Sequence, residues 1–151
     1  MMGKHADVQG RIRERLVEIL DRMPGVDFSV AEEPRIGGRT TDLVVDVVYG
    51  GRRYLLLIEV KTLASTRALV EAAHGVGAAA TTVDGVDAVL GVLGVPHIGP
   101  ALSGECRRLG LGYVDLSGNA HLAVGPLYVD ISGVQSQPRS HALASVFAPK
   151  S

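Results

Sequence analysis

The chain has 151 residues, of which 46% are hydrophobic and 21% charged, a balance that excludes wholesale disorder and fits one domain able to bury about 68 to 70% of its unfolded surface. Fifteen Lys and Arg against sixteen Asp and Glu leave a formal charge of −1, which excludes a strongly basic free-standing nucleic-acid binder and leaves room only for a local patch or a partner domain. With no Trp and six residues of Phe or Tyr, stacking of bases on aromatic platforms is excluded as the main binding mode.

Cys106 is the lone cysteine, so an internal disulfide and a thiolate metal cluster are ruled out, and the expectation is a cytoplasmic protein with Cys106 as a small core residue. The first twenty residues carry charges throughout and show no apolar stretch of signal-peptide type. The longest uncharged run, Ala88 to Gly104, contains two prolines and four glycines, so no membrane helix of roughly 20 apolar residues is expected.

From the N-terminus, Val8, Ile12, Leu16, Val17, Ile19, Leu20 and Met23 recur at helical spacing, which predicts an amphipathic helix over 7–23 ended by Pro24-Gly25. Residues 27–32 alternate as a strand stopped by Pro34, and Gly37-Gly38 make a turn. Leu43–Val48 and Tyr54–Val60 flank Gly50-Gly51 and read as a hairpin, apolar on both faces and therefore inside a covered sheet. Ser65 suits the N-cap of a helix to about Ala80, whose small residues imply close packing on the sheet. Val86–Leu93 follows as a buried strand, and Pro100 opens a helix closed by Arg107, Arg108 and Gly110. Three short strands come next, Tyr113–Leu116, His121–Val124 and Leu127–Ile131. The expected division is one domain over 1–132 and a Pro- and Ser-containing tail or linker over 133–151. The fold class is α/β or α+β with a mixed central sheet flanked by helices.

The chemistry concentrates in the hairpin. With Gly50 and Gly51 at the centre of the turn, Asp42 faces Glu59, Val44 faces Leu57, Asp46 faces Leu55 and Val48 faces Arg53, with Lys61 on that same face. Facing carboxylates repel, and at about 5 Å between Cβ atoms both reach one hard divalent ion; Mg²⁺ is the natural choice. A metal that activates water beside the Lys61 ammonium suits phosphodiester hydrolysis. The bland alternative is a pair of strand-end acids satisfied by Arg39, Lys61 or backbone N–H groups. Asp46 is read as structural and paired with Arg53.

Asp42 followed by Glu59-Val60-Lys61, set in helix, three strands and helix over roughly residues 7 to 93, resembles the PD-(D/E)XK restriction-endonuclease-like nucleases. The resemblance implies a restriction-endonuclease-like fold, with Asp42, Glu59 and the Val60 carbonyl as Mg²⁺ ligands, Mn²⁺ as a substitute ion, and Lys61 assisting catalysis. Thr41 stands where that pattern has Pro, and some members add an acid from the first strand or helix, for which Glu32 and Glu33 are the candidates here. The stretch LGLGYVDLSGNAHLAVGPLYVDISG, with the closing SVFAPKS, also resembles nuclease-like domains that precede a winged helix in bacterial regulator or antitoxin-like proteins. A downstream winged-helix domain or protein partner would then supply DNA affinity, and a homodimer would suit two-strand cleavage.

Around this centre, Arg67, Glu71 and His74 form one helical stripe, read either as accessory to the site or as a solvated face. Arg35, Arg39, Arg52 and Arg53 cluster near the turns as candidate phosphate contacts, a pattern that solubility alone also explains. His97 and His121 read as packing residues, Gly118-Asn119 as a tight turn, and Asp115 and Asp130 as edge-strand charges. The functional expectation is a Mg²⁺-dependent nuclease acting on DNA; the alternatives are a non-catalytic DNA-binding or regulatory module on the same fold, and a protein-interaction domain.

Overall fold

The computed structural model describes residues 3–134. The elements are α1 (Lys4–Asp21), β1 (Val26–Glu32), β2 (Arg35–Ile36), β3 (Arg39–Thr40), β4 (Leu43–Tyr49), β5 (Arg52–Val60), α2 (Thr66–Ala80), β6 (Ala88–Val95), α3 (Pro100–Arg108), β7 (Gly112–Asp115), β8 (Ala120–Val124) and β9 (Leu127–Ile131). A seven-stranded sheet runs in the order β1-β4-β5-β6-β7-β8-β9, and β2 and β3 form a separate two-stranded ribbon. β1, β4 and β5 pair antiparallel, β5, β6 and β7 parallel, and β7, β8 and β9 antiparallel again. The fold is thus the mixed α+β arrangement with helices on a central sheet that the restriction-endonuclease-like resemblance implied.

Alternation along the strands splits the interior into two apolar layers. Leu43, Val45, Val47, Leu56 and Ile58 join Val8, Ile12, Leu16 and Leu20 of α1 in one layer. On the other face, Val44, Leu55, Leu57 and Leu93 meet Leu69, Ala72, Val76 and Ala79 of α2 and Cys106 of α3. Both faces of β4 and β5 are covered, which is why those strands carry apolar residues without alternation. Burial pushes the Cys106 thiol up to about 11, as befits a core residue.

Several local devices are the ones the residues dictate. Gly50 and Gly51 have φ of 63° and 77°, the left-handed pair that a two-residue hairpin turn needs. The Ser65 hydroxyl accepts from the Ala68 N–H at 3.0 Å and caps α2. α1 begins at Lys4, three residues before the expected start at residue 7, and so takes in His5.

Two details depart from expectation. Gly37-Gly38 is more than a bare turn, because it closes the β2–β3 ribbon, with Arg35 opposite Thr40 and Ile36 opposite Arg39. Asp115 is no edge charge: it is fully buried, and its carboxylate accepts from the backbone N–H groups of Ile98, Ser117, Gly118 and Asn119 and from the Asn119 amide. It ties the β7–β8 turn to the loop before α3. Among the described residues the sheet edges are β1 and β9, and Asp130 on β9 is held by Arg107 at 2.8 Å. Val134 exchanges two hydrogen bonds with Asn119, at 2.6 and 2.8 Å, so the chain just past β9 still packs on the domain. The remainder of the expected tail, residues 135–151, lies outside the described residues. No described helix is long and apolar enough to cross a membrane.

Candidate active site at the ends of two central strands

The hairpin register is the one inferred from the turn: Val44 pairs with Leu57, Asp46 with Leu55 and Val48 with Arg53. Continued by one residue, it sets Asp42 against Glu59, both on the face covered by α2. Asp42 is anchored through its backbone and its side chain. Its carbonyl accepts from the Glu33 N–H at 2.9 Å, and its Oδ2 accepts from the Val60 N–H at 2.7 Å. Thr41 makes a bond that Pro could not, donating its N–H to the Pro34 carbonyl at 3.0 Å, so the departure from the family pattern closes the loop leading into Asp42.

Glu59 sits half-buried beneath α2. Burial raises its carboxyl above the ordinary range, the facing Asp42 charge raises it further, and Lys61, Arg39 and His5 pull the other way. Lys61 does not bond Glu59; its Nζ donates to Glu71 Oε1 at 3.1 Å, while Arg67 donates to Glu71 Oε2 at 3.2 Å. The Lys61 hydrogen bond is the main reason the Glu71 carboxyl lies below its usual range. Of the stripe on α2, Glu71 is therefore joined to the site through Lys61 and Arg67 through Glu71, whereas His74 is exposed beyond them.

Arg39 reaches the site by a route the sequence does not advertise. A Cβ built on Gly75 would lie 3.0 Å from an Arg39 guanidinium nitrogen and 3.6 Å from Glu59 Oε2. The buried Gly75 thus leaves the space in which the guanidinium lies between α2 and Glu59. A Cβ on Gly37, at the tip of the ribbon, would meet Thr82 at 2.6 Å, so the same ribbon is seated against the end of α2.

His5 is the residue that reading from residue 7 onward missed. Its Nε2 lies 3.1 Å from the Val60 carbonyl oxygen and 3.5 Å from Asp42 Oδ1. The available signal was its place on the stripe of Val8, Ile12 and Leu16, seven residues before Ile12, which turns it toward the sheet.

The remaining candidates lie apart. Arg53 is bound to Asp46 at 2.6 Å and Arg52 faces Asp87 at 3.4 Å, both at the Gly50-Gly51 end of β5, about 20 Å along the strand from Glu59. Glu32 pairs with Arg13 of α1 at 3.2 Å, and Glu33, next to Asp42, has a φ of 55°. Arg35 donates to Gly38 O at 2.7 Å within the ribbon. His121 packs between Tyr113 and Tyr128, and His97 is exposed 3.8 Å from buried Asp115, so both histidines lie away from Asp42 and Glu59.

The donor set at the end of β5 is two carboxylates and a backbone carbonyl, hard oxygens of the kind Mg²⁺ takes. Glu59, raised by burial and by Asp42, is the group that a cation would relieve. Among the described residues no three side chains of His, Cys, Asp or Glu close into a metal cage, so any ion here is completed by the Val60 carbonyl and by water.

No protein-family model and no curated protein matches the chain. Solved structures similar to it include a repair endonuclease from Pyrococcus abyssi, at 17% identity and a TM-score of 0.46, covering 70% of this chain and 46% of that one. An XisH family protein from Nostoc punctiforme matches at 9% identity and 0.39, covering 76% of this chain and 92% of that one. An fdxN element excision controlling factor protein from Anabaena variabilis matches at 10% and 0.40, covering 73% and 92%. The chain spans less than half the length of the repair endonuclease.

Proposed function

We propose that this domain is a Mg²⁺-dependent nuclease that hydrolyses DNA phosphodiester bonds, with Mn²⁺ able to substitute. One observation carries the reading: the β4–β5 register sets Asp42 against Glu59 at the end of β5, with the Val60 carbonyl and Lys61 in the next two positions. Asp42, Glu59 and Val60 O would hold the ion, which when bound lowers the pKa of a water and neutralises a phosphate oxygen. Asp42 is oriented for this by the Val60 N–H, which fixes one carboxylate oxygen and leaves Oδ1 to the opening. Lys61, steered by Glu71, presents an ammonium to the charge that grows on the phosphorane oxygens. Arg39 and, on the rim, Arg35 and Arg67 would position the DNA backbone; Arg52 and Arg53 belong to a second contact at the far end of the hairpin.

A second reading, a non-catalytic DNA-binding or regulatory module, is favoured by the pairing of Lys61 with Glu71 and by the lack of a closed three-side-chain cage among the described residues. With a net charge of −1, either reading calls on a homodimer, a downstream winged-helix domain or a protein partner for DNA affinity.

Plasmid nicking in Mg²⁺ or Mn²⁺ separates the two readings. The nuclease reading expects nicking that is lost in Glu59→Ala and falls by at least about a hundredfold in Lys61→Ala, on the scale of removing one charge-stabilising group. DNA binding without nicking supports the module, and nicking that survives both substitutions defeats the assignment of these residues.

A further inference from the structure

α2 carries two glycines in its interior, Gly75 and Gly77, and the space around them differs. Both lie in helical backbone, outside the left-handed region, so neither is there for its φ. Against Ala, each costs the helix stability. A Cβ built on Gly77 would meet nothing within 4 Å, whereas one on buried Gly75 would stand 3.0 Å from an Arg39 guanidinium nitrogen, 3.8 Å from Arg39 Cζ and 3.6 Å from Glu59 Oε2. The missing methyl at Gly75 therefore makes room for the end of Arg39 beside Glu59.

The β2–β3 ribbon holds that arrangement in place. Gly37, two residues before Arg39, abuts Thr82, seven residues after Gly75, so the ribbon runs along roughly the last two turns of α2. Ile36, which pairs with Arg39 across the ribbon, packs against the apolar layer that α2 covers. The Arg39 guanidinium itself makes no hydrogen bond or ion pair with the described residues. Packing fixes where it lies and leaves its fork of N–H donors to a ligand.

We propose that Gly75 is a positioning residue: it seats the Arg39 guanidinium beside Glu59, where the guanidinium takes a phosphate of a bound DNA strand. This rests on the DNA-contacting part of the reading above and on neither a metal ion nor catalysis. A planar guanidinium matches two phosphate oxygens at once, which the point charge of an ammonium does not. Lying against Glu59, it also offsets the repulsion between that carboxylate and the strand. The helix gives up stability at Gly75 and gains a fixed anchor for the DNA backbone.

Fluorescence anisotropy of a fluorescein-labelled DNA duplex of mixed sequence, titrated with the full chain in EDTA over a series of salt concentrations, tests this. The variants are Gly75→Ala, Gly77→Ala, Arg39→Ala, Arg39→Lys and the Gly75→Ala/Arg39→Ala pair, each also melted to compare stability. The proposal expects affinity to fall about tenfold in Arg39→Ala, the scale of one charged hydrogen-bonded contact, with a salt slope shallower by about one. Gly75→Ala should bind about threefold more weakly while melting at or above the wild-type temperature; Gly77→Ala should gain stability with binding unchanged. The pair should bind no worse than Arg39→Ala alone, because the glycine acts only through the arginine. Arg39→Lys should restore the salt slope without the full affinity. A Gly75→Ala variant that binds as the wild type does, melts below it, is matched in its loss by Gly77→Ala, or adds its loss to that of Arg39→Ala overturns the seat and leaves the DNA reading standing. If the wild type shows no salt-dependent binding even at low salt, the DNA reading falls and the seat with it.

Discussion

Glu59 is the residue on which sequence, packing and chemistry meet. It ends the apolar row on the α2 face of β5, while Val60 on the opposite face is still buried in the core, and Asp42 faces it from the neighbouring strand. Its carboxyl is raised, so between the unfolded and folded values the native state holds the proton more tightly than the unfolded chain does. Stability attributable to this group therefore falls as pH rises through that interval, and the destabilisation is fully present above the folded value. Glu59→Gln removes it. The variant is expected to melt at a higher temperature than the wild type at pH 7 to 8, with the difference shrinking below about pH 4, near the unfolded carboxyl range. Thermal scans in metal-free buffer across that range check the prediction, and a Gln variant less stable at neutral pH would contradict it.

At the scale of elements, the site depends on how closely α2 lies on the sheet. A Cβ built on Gly91 of β6 would meet the Val76 methyl at 2.5 Å, closer than real side chains approach, and Leu111 at a tight 3.0 Å. Val76 is β-branched, has little rotamer freedom in a helix, and cannot swing aside. Gly91→Ala is therefore expected to destabilise by about 1 to 3 kcal/mol through overpacking. It should also displace α2, which carries both Glu71, the partner of Lys61, and Gly75, the cradle of Arg39. Denaturant titration measures the first effect; a loss below 0.5 kcal/mol, well under the overpacking range, would mean the helix stands off the sheet. The β2–β3 ribbon answers to the same helix, because Gly37 abuts Thr82 and Arg39 lies on Gly75. One helix thus positions an acid, a lysine and an arginine around the end of β5.

For the molecule as a whole, the sheet keeps two apolar layers apart and gathers polar groups where both layers end. His5 arrives from the α1 side, Glu71 and Gly75 from the α2 side, and Asp42 and Glu59 from the sheet. A divalent ion binding there in the folded state alone would stabilise the fold by mass action, by about 2.7 kcal/mol at a hundred times its dissociation constant. Melting in Mg²⁺ should accordingly shift upward with concentration in the wild type and stay flat in Asp42→Asn. A concentration-dependent shift that Asp42→Asn retains would place the ion elsewhere on the surface.

Much of this was determined by local sequence alone. Gly50-Gly51 admit the left-handed pair that few other residues tolerate, so the hairpin register followed, and with it the opposition of Asp42 and Glu59 and the pairing of Asp46 with Arg53. Helix periodicity and the Ser65 cap located α1 and α2 for the same reason: neighbouring residues decide them. Tertiary structure alone decided where Lys61 points, that Asp115 is buried rather than at an edge, and that His5 and Arg39 reach the carboxylates. The Lys61–Glu71 and His5–Val60 contacts join residues 10 and 55 positions apart; the helical period turns His5 toward the sheet, and only packing sets which atoms it meets there.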